Sequence, residues 1–160
     1  MRTRRLPLTN FLPIGHIQMK IISTNFIAIL LVGVLAGCAI HQNVRPVERF
    51  EGKQVCVIEN TAVKYNFLAA FKQSLESRGY TVKMLSATAA LRECPVTVTY
   101  TANWRWDLAM YMAYAEIKVF NNGQPAGEAV YDSLKGGANM SKFINGENKI
   151  SELVNQLFPG

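Results

Sequence analysis

Two nearby stretches of strict alternation restrict the fold of this chain more than any other feature. In Val96 to Trp106, the residues Val96, Val98, Tyr100, Ala102 and Trp104 share one face, and Thr97, Thr99, Thr101, Asn103 and Arg105 share the other. In Tyr111 to Val119, Ala113, Ala115, Ile117 and Val119 oppose Met112, Tyr114, Glu116 and Lys118. A period of two is the signature of a half-buried strand. A hairpin around Asp107-Leu108 sets residue 98 against 117, 100 against 115 and 102 against 113, so that both apolar faces coincide. Asn122-Gly123 marks a second turn. A three-residue loop with Gly123 at positive φ places Lys118 opposite Glu128 and sends Ala129 and Tyr131 to the core face. Pro125 has no amide donor, which suits an edge strand.

The flanking segments supply helices. Gln54 to Glu59 is an apolar, β-rich run, and Lys64 to Arg78 carries Phe67, Leu68, Phe71 and Leu75 at helical spacing, with Gly79 as a stop. Tyr80 to Leu85 reads as a strand again. The three elements form a βαβ unit, whose strands run parallel if they share a sheet. Ser86 to Glu93 connects it to the meander. After Gly136-Gly137, Ile150, Leu153, Val154 and Leu157 define a last helix, with Gly146 at its natural start. The expected fold is therefore α+β: a two-layer sandwich with a mixed, mostly antiparallel five-stranded sheet in the order β-α-β-β-β-β-α. Both helices cover one sheet face, and the other face is polar and open.

Charge is unevenly spread. The net charge of the 160-residue chain is +6, yet residues 1–37 hold Arg2, Arg4, Arg5 and Lys20 and no acid. Of the 17 basic side chains, 13 then remain against 11 acidic ones. The basicity belongs to the leader, and nucleic-acid binding is not expected. From Met19 the chain reads Lys20, a polar patch Ser23-Thr24-Asn25, an apolar run from Phe26 to Leu35, then Ala36-Gly37-Cys38. That is the n-region, h-region and small-residue cleavage site of a secretory signal, and Met19 is its natural start. The run is too short for a permanent bilayer-spanning helix, which needs about 20 apolar residues.

Leu35-Ala36-Gly37-Cys38 resembles the lipobox of bacterial lipoproteins and stands where that motif must stand. The resemblance implies a diacylglyceryl group on the Cys38 thiol, removal of residues 1–37 and acylation of the new amino terminus. Acyl chains would then bind the protein firmly to a membrane, each buried methylene contributing about 0.8 kcal/mol. Residue 39 is Ala and not Asp. By the enterobacterial sorting pattern, this points to the outer membrane, with the domain in the periplasm. Residues 38–53 are expected to form a tether with a root-mean-square reach of about 20 Å, or roughly 50 Å if drawn straight. Residues 54–160 are expected to form a single domain.

Candidate chemistry is sparse. His41 is the sole histidine after residue 37. Ser-His-Asp, Cys-His and multi-histidine metal sites are thereby excluded, and no metal or cofactor is expected. Export agrees with a disulfide between Cys56, in the first strand, and Cys94, just before Pro95. Two buried thiols are the alternative. Asp107, Glu93 and Glu59 are isolated carboxylates without a paired-acid motif. Trp104-Arg105-Trp106 could stack on a sugar ring or an aromatic ligand. Alternation, however, puts both Trp residues on the core side. Tyr114, Met112, Met110 and Phe120 fall on the open face, which is either solvated sheet or a partner-binding surface.

The motifs Cys56-Val57-Ile58-Glu59-Asn60, Cys94-Pro95, Tyr100 to Asp107 (YTANWRWD) and Gly127 to Asp132 (GEAVYD), together with LAGC, span most of the mature chain. In them the sequence resembles a family of small, uncharacterised proteobacterial lipoproteins. The expected function is that of a non-enzymatic binding or adaptor module in the cell envelope, partnered by another envelope protein. It would act through its open sheet face, a sheet edge or the Trp104 to Met110 hairpin tip, with candidate contacts at Trp104, Arg105, Trp106, Asp107 and Tyr114. The alternative is a glycan or small-ligand binder using Trp104 and Trp106.

Overall fold

The computed structural model describes residues 40–63 and 66–159. The signal segment, the start at Met19 and the lipobox residues Leu35, Ala36, Gly37 and Cys38 lie outside the described residues. Within them the chain forms β1 (His41–Arg45), β2 (Gln54–Ile58), α1 (Phe67–Ser77), β3 (Thr81–Leu85), β4 (Val96–Asp107), β5 (Ala109–Asn121), β6 (Gln124–Asp132) and α2 (Gly146–Leu157). The fold is α+β. One mixed sheet runs in the order β1-β6-β5-β4-β2-β3. β2 is parallel to both β3 and β4, and the β4–β5, β5–β6 and β1–β6 pairs are antiparallel.

Helix periodicity accounts for the core. Phe67, Phe71 and Leu75 on α1, with Ile150, Leu153, Val154 and Leu157 on α2, are buried against Val55, Val57, Val98, Ile117, Val119 and Ala129 of the sheet. Each such side chain removed from water contributes about 1.5–3 kcal/mol. Gly79 ends α1 at φ +81°, which lets the amides of Gly79 and Tyr80 reach the carbonyls of Glu76 and Leu75. At the start of α2, the Asn145 side chain accepts from the Asn148 amide at 2.9 Å. A smaller cluster of Cys56, Ile58, Leu85, Cys94 and Ala89 stands apart from the main core. The disulfide between Cys56 and Cys94 lies in it, with the two Cα atoms 6.2 Å apart.

The sheet differs from the sequence expectation in four ways. It has six strands and not five, because residues 41–45 of the expected tether pair with β6, from His41 opposite Asp132 to Arg45 opposite Glu128. Only Val44 of these five is even half-buried, so β1 has no alternation to read. Its main-chain ladder holds it in place, and so does Val47 just beyond it, which is buried in the core and donates its amide to the Leu157 carbonyl at 2.8 Å. β6 is thus an interior strand, and Pro125 lies beyond the part that β1 covers.

The second difference is register. Val98 pairs with Val119, Tyr100 with Ile117 and Ala102 with Ala115. The turn has a single central residue, Leu108, and a bulge between Asn103 and Trp104 adds one more. Together they displace the expected partners by two, which preserves the faces. The third is Met112 and Met110, both expected on the open face. The bulge turns both to the helix side, pairing Met112 with Trp104 in the core and Met110 with Trp106 further out. At the other turn the loop has two residues, Asn122 and Gly123, both at positive φ, and not the three expected; a bulge after Val119 restores Lys118 opposite Glu128.

The β1 seam yields two predictions. A Cβ on Gly127 would strike Val47 Cγ1 and lie 3.0 Å from the Arg45 carbonyl oxygen and 3.1 Å from Leu157 Cδ1. Gly127→Ala is therefore expected to destabilise the fold by about 1–3 kcal/mol in urea unfolding. Glu152 of α2 accepts from Lys149 Nζ at 2.6 Å and from Gln42 Nε2 of β1 at 2.8 Å. These hydrogen bonds, that from Lys149 foremost, hold its carboxyl below the ordinary glutamate value. The unfolded chain then takes up this proton first, so the contribution is present above about pH 4.5 and is lost as pH falls through the lower folded value. Glu152→Gln is expected to flatten the acid side of the stability profile.

Candidate functional site

Strand lengths determine what is left exposed. β4 and β5 run 12 and 13 residues, whereas β1, β2 and β3 have five each. β2 meets β4 only at Thr97 and Val98, and β6 meets β5 no further than Tyr114. The far half of the β4–β5 hairpin therefore leaves the sheet as a two-stranded ribbon. It carries most of the residues that the sequence singled out.

The structure separates those residues. Trp104 packs at the ribbon base, its ring 6.3 Å from Phe67 in an edge-on arrangement. Trp106 is 72% exposed, a correction to the expectation that both Trp residues face the core. It does face the same side, but two residues further out there is no helix beneath it. Trp104 lines an open cavity of about 240 Å³ with Asn66, Phe67, Asn145, Glu147 and Ile150, and Trp106 has no part in it. The two indoles are not brought into one site. Arg105 is exposed and sits opposite Tyr111.

Asp107 receives an ion pair from Lys142, which sequence reasoning missed. Lys142 is 5% exposed. Its ammonium reaches the Asp107 carboxylate and donates to the Gly137 carbonyl at 2.6 Å, and it stands 5.4 Å and 5.2 Å from the ring centres of Tyr111 and Phe143. One buried cation thus ties the ribbon tip to the 134–143 loop. The two aromatic rings, 5.4 Å apart, close the same contact. Lysine is seldom buried unless paired. Its partner lies 35 residues away, and no local pattern announces it.

At the tip, Leu108 has φ 61° and is 79% exposed. The left-handed region costs an L-residue roughly 1–2 kcal/mol, and glycine would avoid it. An apolar residue at that position was the readable signal. Met110 beside it, with Leu134 and Met140 on the loop, are exposed as well.

The sheet face away from the helices bears a second group. Tyr114, Glu116, Lys118 and Phe120 of β5 are half-buried, and they alternate with the fully buried Ala115, Ile117 and Val119. Lys118 bonds Glu116 at 2.6 Å and Glu128 of β6 at 3.6 Å. The Tyr114 hydroxyl is pushed above its ordinary value by partial burial first and by the Glu116 carboxylate second, so it stays protonated at neutral pH. This face is mixed in character, aromatic and charged. Among the described residues no group of His, Cys, Asp or Glu is placed to hold a metal, and no helix is long and apolar enough to cross a membrane.

No protein-family model matches the chain, and no curated protein sequence does either. Among solved structures, the PelC dodecamer from Paraburkholderia phytofirmans is similar over 73% of this chain and 95% of its own, with 11% identity and a TM-score of 0.49. A point variant of the same dodecamer is similar over 74% and 94%, with 10% identity and a TM-score of 0.49.

The buried cation provides the test of how the tip is held. Lys142→Met keeps the aliphatic volume and removes the charged hydrogen bonds, a loss of about 1–2 kcal/mol after allowing for the half of Asp107 that lies in water. Amide exchange at residues 105–110 is expected to accelerate, whereas protection at residues 98–100 and 117–119 stays as in the wild type.

Proposed function

We propose that the protein is an outer-membrane-anchored periplasmic lipoprotein, acylated on Cys38, that serves as a binding or adaptor module for another envelope protein. The observation that supports the adaptor reading is the sheet face bearing Tyr114, Glu116, Lys118, Phe120 and Glu128. Half-exposed Tyr114 and Phe120 flanked by charged groups match the aromatic centre and polar rim of a protein interface. Small-molecule sites are by contrast concave and mostly apolar. The Lys118 bridges fix the charge pattern, which favours specificity over raw affinity.

Support for the anchor comes from the sequence: Leu35-Ala36-Gly37-Cys38 closes a short apolar run, and Ala39 follows it. The disulfide agrees with an oxidising compartment. No catalytic step and no cofactor belong to this reading.

Two measurements test it. Intact mass and membrane fractionation should find an acylated chain beginning at Cys38 in the outer-membrane fraction, and Cys38→Ala should lose both the acyl mass and the membrane association. A photo-crosslinking residue in place of Lys118 should then give one discrete adduct with an envelope protein. The same residue in place of Lys72 on α1 should give none, and adducts equally strong from both positions would overturn the assignment of the face.

A further inference from the structure

We propose that the ribbon tip and the 134–140 loop form a membrane-contact surface that seats Trp106, Leu108, Met110, Leu134 and Met140 in the interfacial layer of the bilayer to which Cys38 is anchored. The inference rests on the acylation of Cys38 proposed above and adds a second, non-covalent contact to it.

The argument begins with where the chain enters the domain. β1 runs antiparallel to β6, so His41 lies opposite Asp132, and Asp132 in turn lies opposite Tyr114. The first residue of β1 is therefore at the end of the sheet from which the ribbon projects. Ile40 is there too, its Cγ1 3.5 Å from the place a Cβ on Gly136 would take. Cys38 precedes Ile40 by two residues, and two residues span at most about 7 Å. From Tyr114 to Leu108 the ribbon advances six residues, one of them absorbed by the bulge, or roughly 15 Å along the strand direction. The anchor is shorter than the ribbon. An acylated Cys38 holds this end of the domain so close to the lipid that the tip meets the headgroups and passes into them.

The composition of that end fits the destination. Of the large apolar side chains that are exposed among the described residues, the five in the proposal lie on the tip and the loop, and Met84 and Leu91 lie elsewhere. Trp106 is an amphipathic ring of the kind that settles at headgroup depth. Leu108 carries two penalties in water, its left-handed backbone and its exposure, and neither contributes to the fold. Arg105 and Lys135, both exposed, flank the apolar residues and suit anionic headgroups. The one carboxylate at the tip, Asp107, is neutralised by Lys142. Because Lys142 also holds the Gly137 carbonyl, tip and loop approach the bilayer as one body.

Trp106 is its own reporter. In the acylated, full-length mature protein, Trp104→Phe leaves Trp106 as the sole tryptophan, and the protein is reconstituted into phosphatidylethanolamine and phosphatidylglycerol vesicles with or without bromine on the upper acyl-chain carbons. With the ring seated about 5–10 Å below the surface, brominated lipid should remove about half or more of its emission. Trp106→Phe, which leaves Trp104, should show no such loss. Leu108→Asp with Met140→Asp should return Trp106 to unquenched emission while the protein remains vesicle-bound through its acyl chains. If the acylated protein binds vesicles and Trp106 emits unquenched as in water, the contact surface is refuted and the anchor stands. Blue-shifted emission without bromine quenching would assign the patch to a second copy of the chain and overturn the proposal. A mass without acyl chains would overturn both readings.

Discussion

The mismatch between strands of 12 and 13 residues and their flanking neighbours, β2 with five and β6 with nine, governs the rest of the molecule. A five-residue strand covers about 17 Å, while the β4–β5 hairpin is roughly 40 Å long. Beyond the cover of β2 and β6, its outer backbone groups have no ladder partners among the described residues, and a lone hairpin is marginal in water. The chain supports it from three sides. Ser133 donates its amide and its hydroxyl to the Ala113 carbonyl at 2.9 Å and 3.1 Å. Trp104 leans on Phe67, itself stacked on Tyr100 at 5.3 Å. Lys142 and Phe143 hold the distal half through Asp107 and Tyr111. The bulge at Asn103/Trp104 turns Met112 inward at the point where support changes hands. Only the last few residues of the ribbon are left to face something else.

That economy explains which parts of the fold were legible in the sequence. The faces of β4 and β5 could be read because one side is buried, and burial writes a period of two into the sequence. Their register could not, because a one-residue turn and a bulge each shift the pairing by one, and the two shifts together leave the faces unchanged. Asn122-Gly123 gave Lys118 opposite Glu128 by either of two loop geometries, so the pairing was legible and the turn was not. β1 left no trace. All its side chains but Val44 are exposed, and Gln42 reaches Glu152, 110 residues away. Cys56 and Cys94 could be offered as a pair from export, with two buried thiols as the alternative, and only the tertiary fold brings them together. At the candidate site, alternation assigned Trp106 to a face and was silent about where the helices beneath that face end. Lys142 sits in a glycine-rich loop with no periodicity, and its role depends wholly on a tertiary contact.

The two ends of the sheet are built differently. At the end remote from the ribbon tip, the Asn122 amide donates to the Pro95 carbonyl at 2.7 Å, next to the Cys56–Cys94 disulfide. Covalent closure there constrains the unfolded chain and so stabilises the fold. At the tip end, Lys142 bonds the Asp107 carboxylate and the Gly137 carbonyl, Tyr111 meets Phe143, and the Met and Leu side chains beyond them are exposed. Unbranched and γ-branched side chains adapt to an irregular partner at little cost, provided that their base is fixed.

These two characters bear on how the proposed contacts would work together. A bilayer contact at the ribbon tip sets the long axis of β4 and β5 across the membrane plane. The Tyr114–Lys118 face then looks sideways along that plane. A partner held in the same membrane meets this face from the side, at an effective concentration set by confinement and not by the bulk. Under that condition a face with a few half-exposed aromatics and a fixed charge pattern is sufficient, because confinement supplies part of what a deep apolar pocket would otherwise supply. A short anchor serves this better than a long one. A 50 Å tether would let the face point anywhere, whereas β1, clamped to α2 through Gln42 and Glu152 and succeeded by the buried Val47, would fix the direction in which an acylated domain leaves the lipid. Folding residues 41–45 into the sheet is, on this argument, the step that makes the orientation of the binding face a property of the fold.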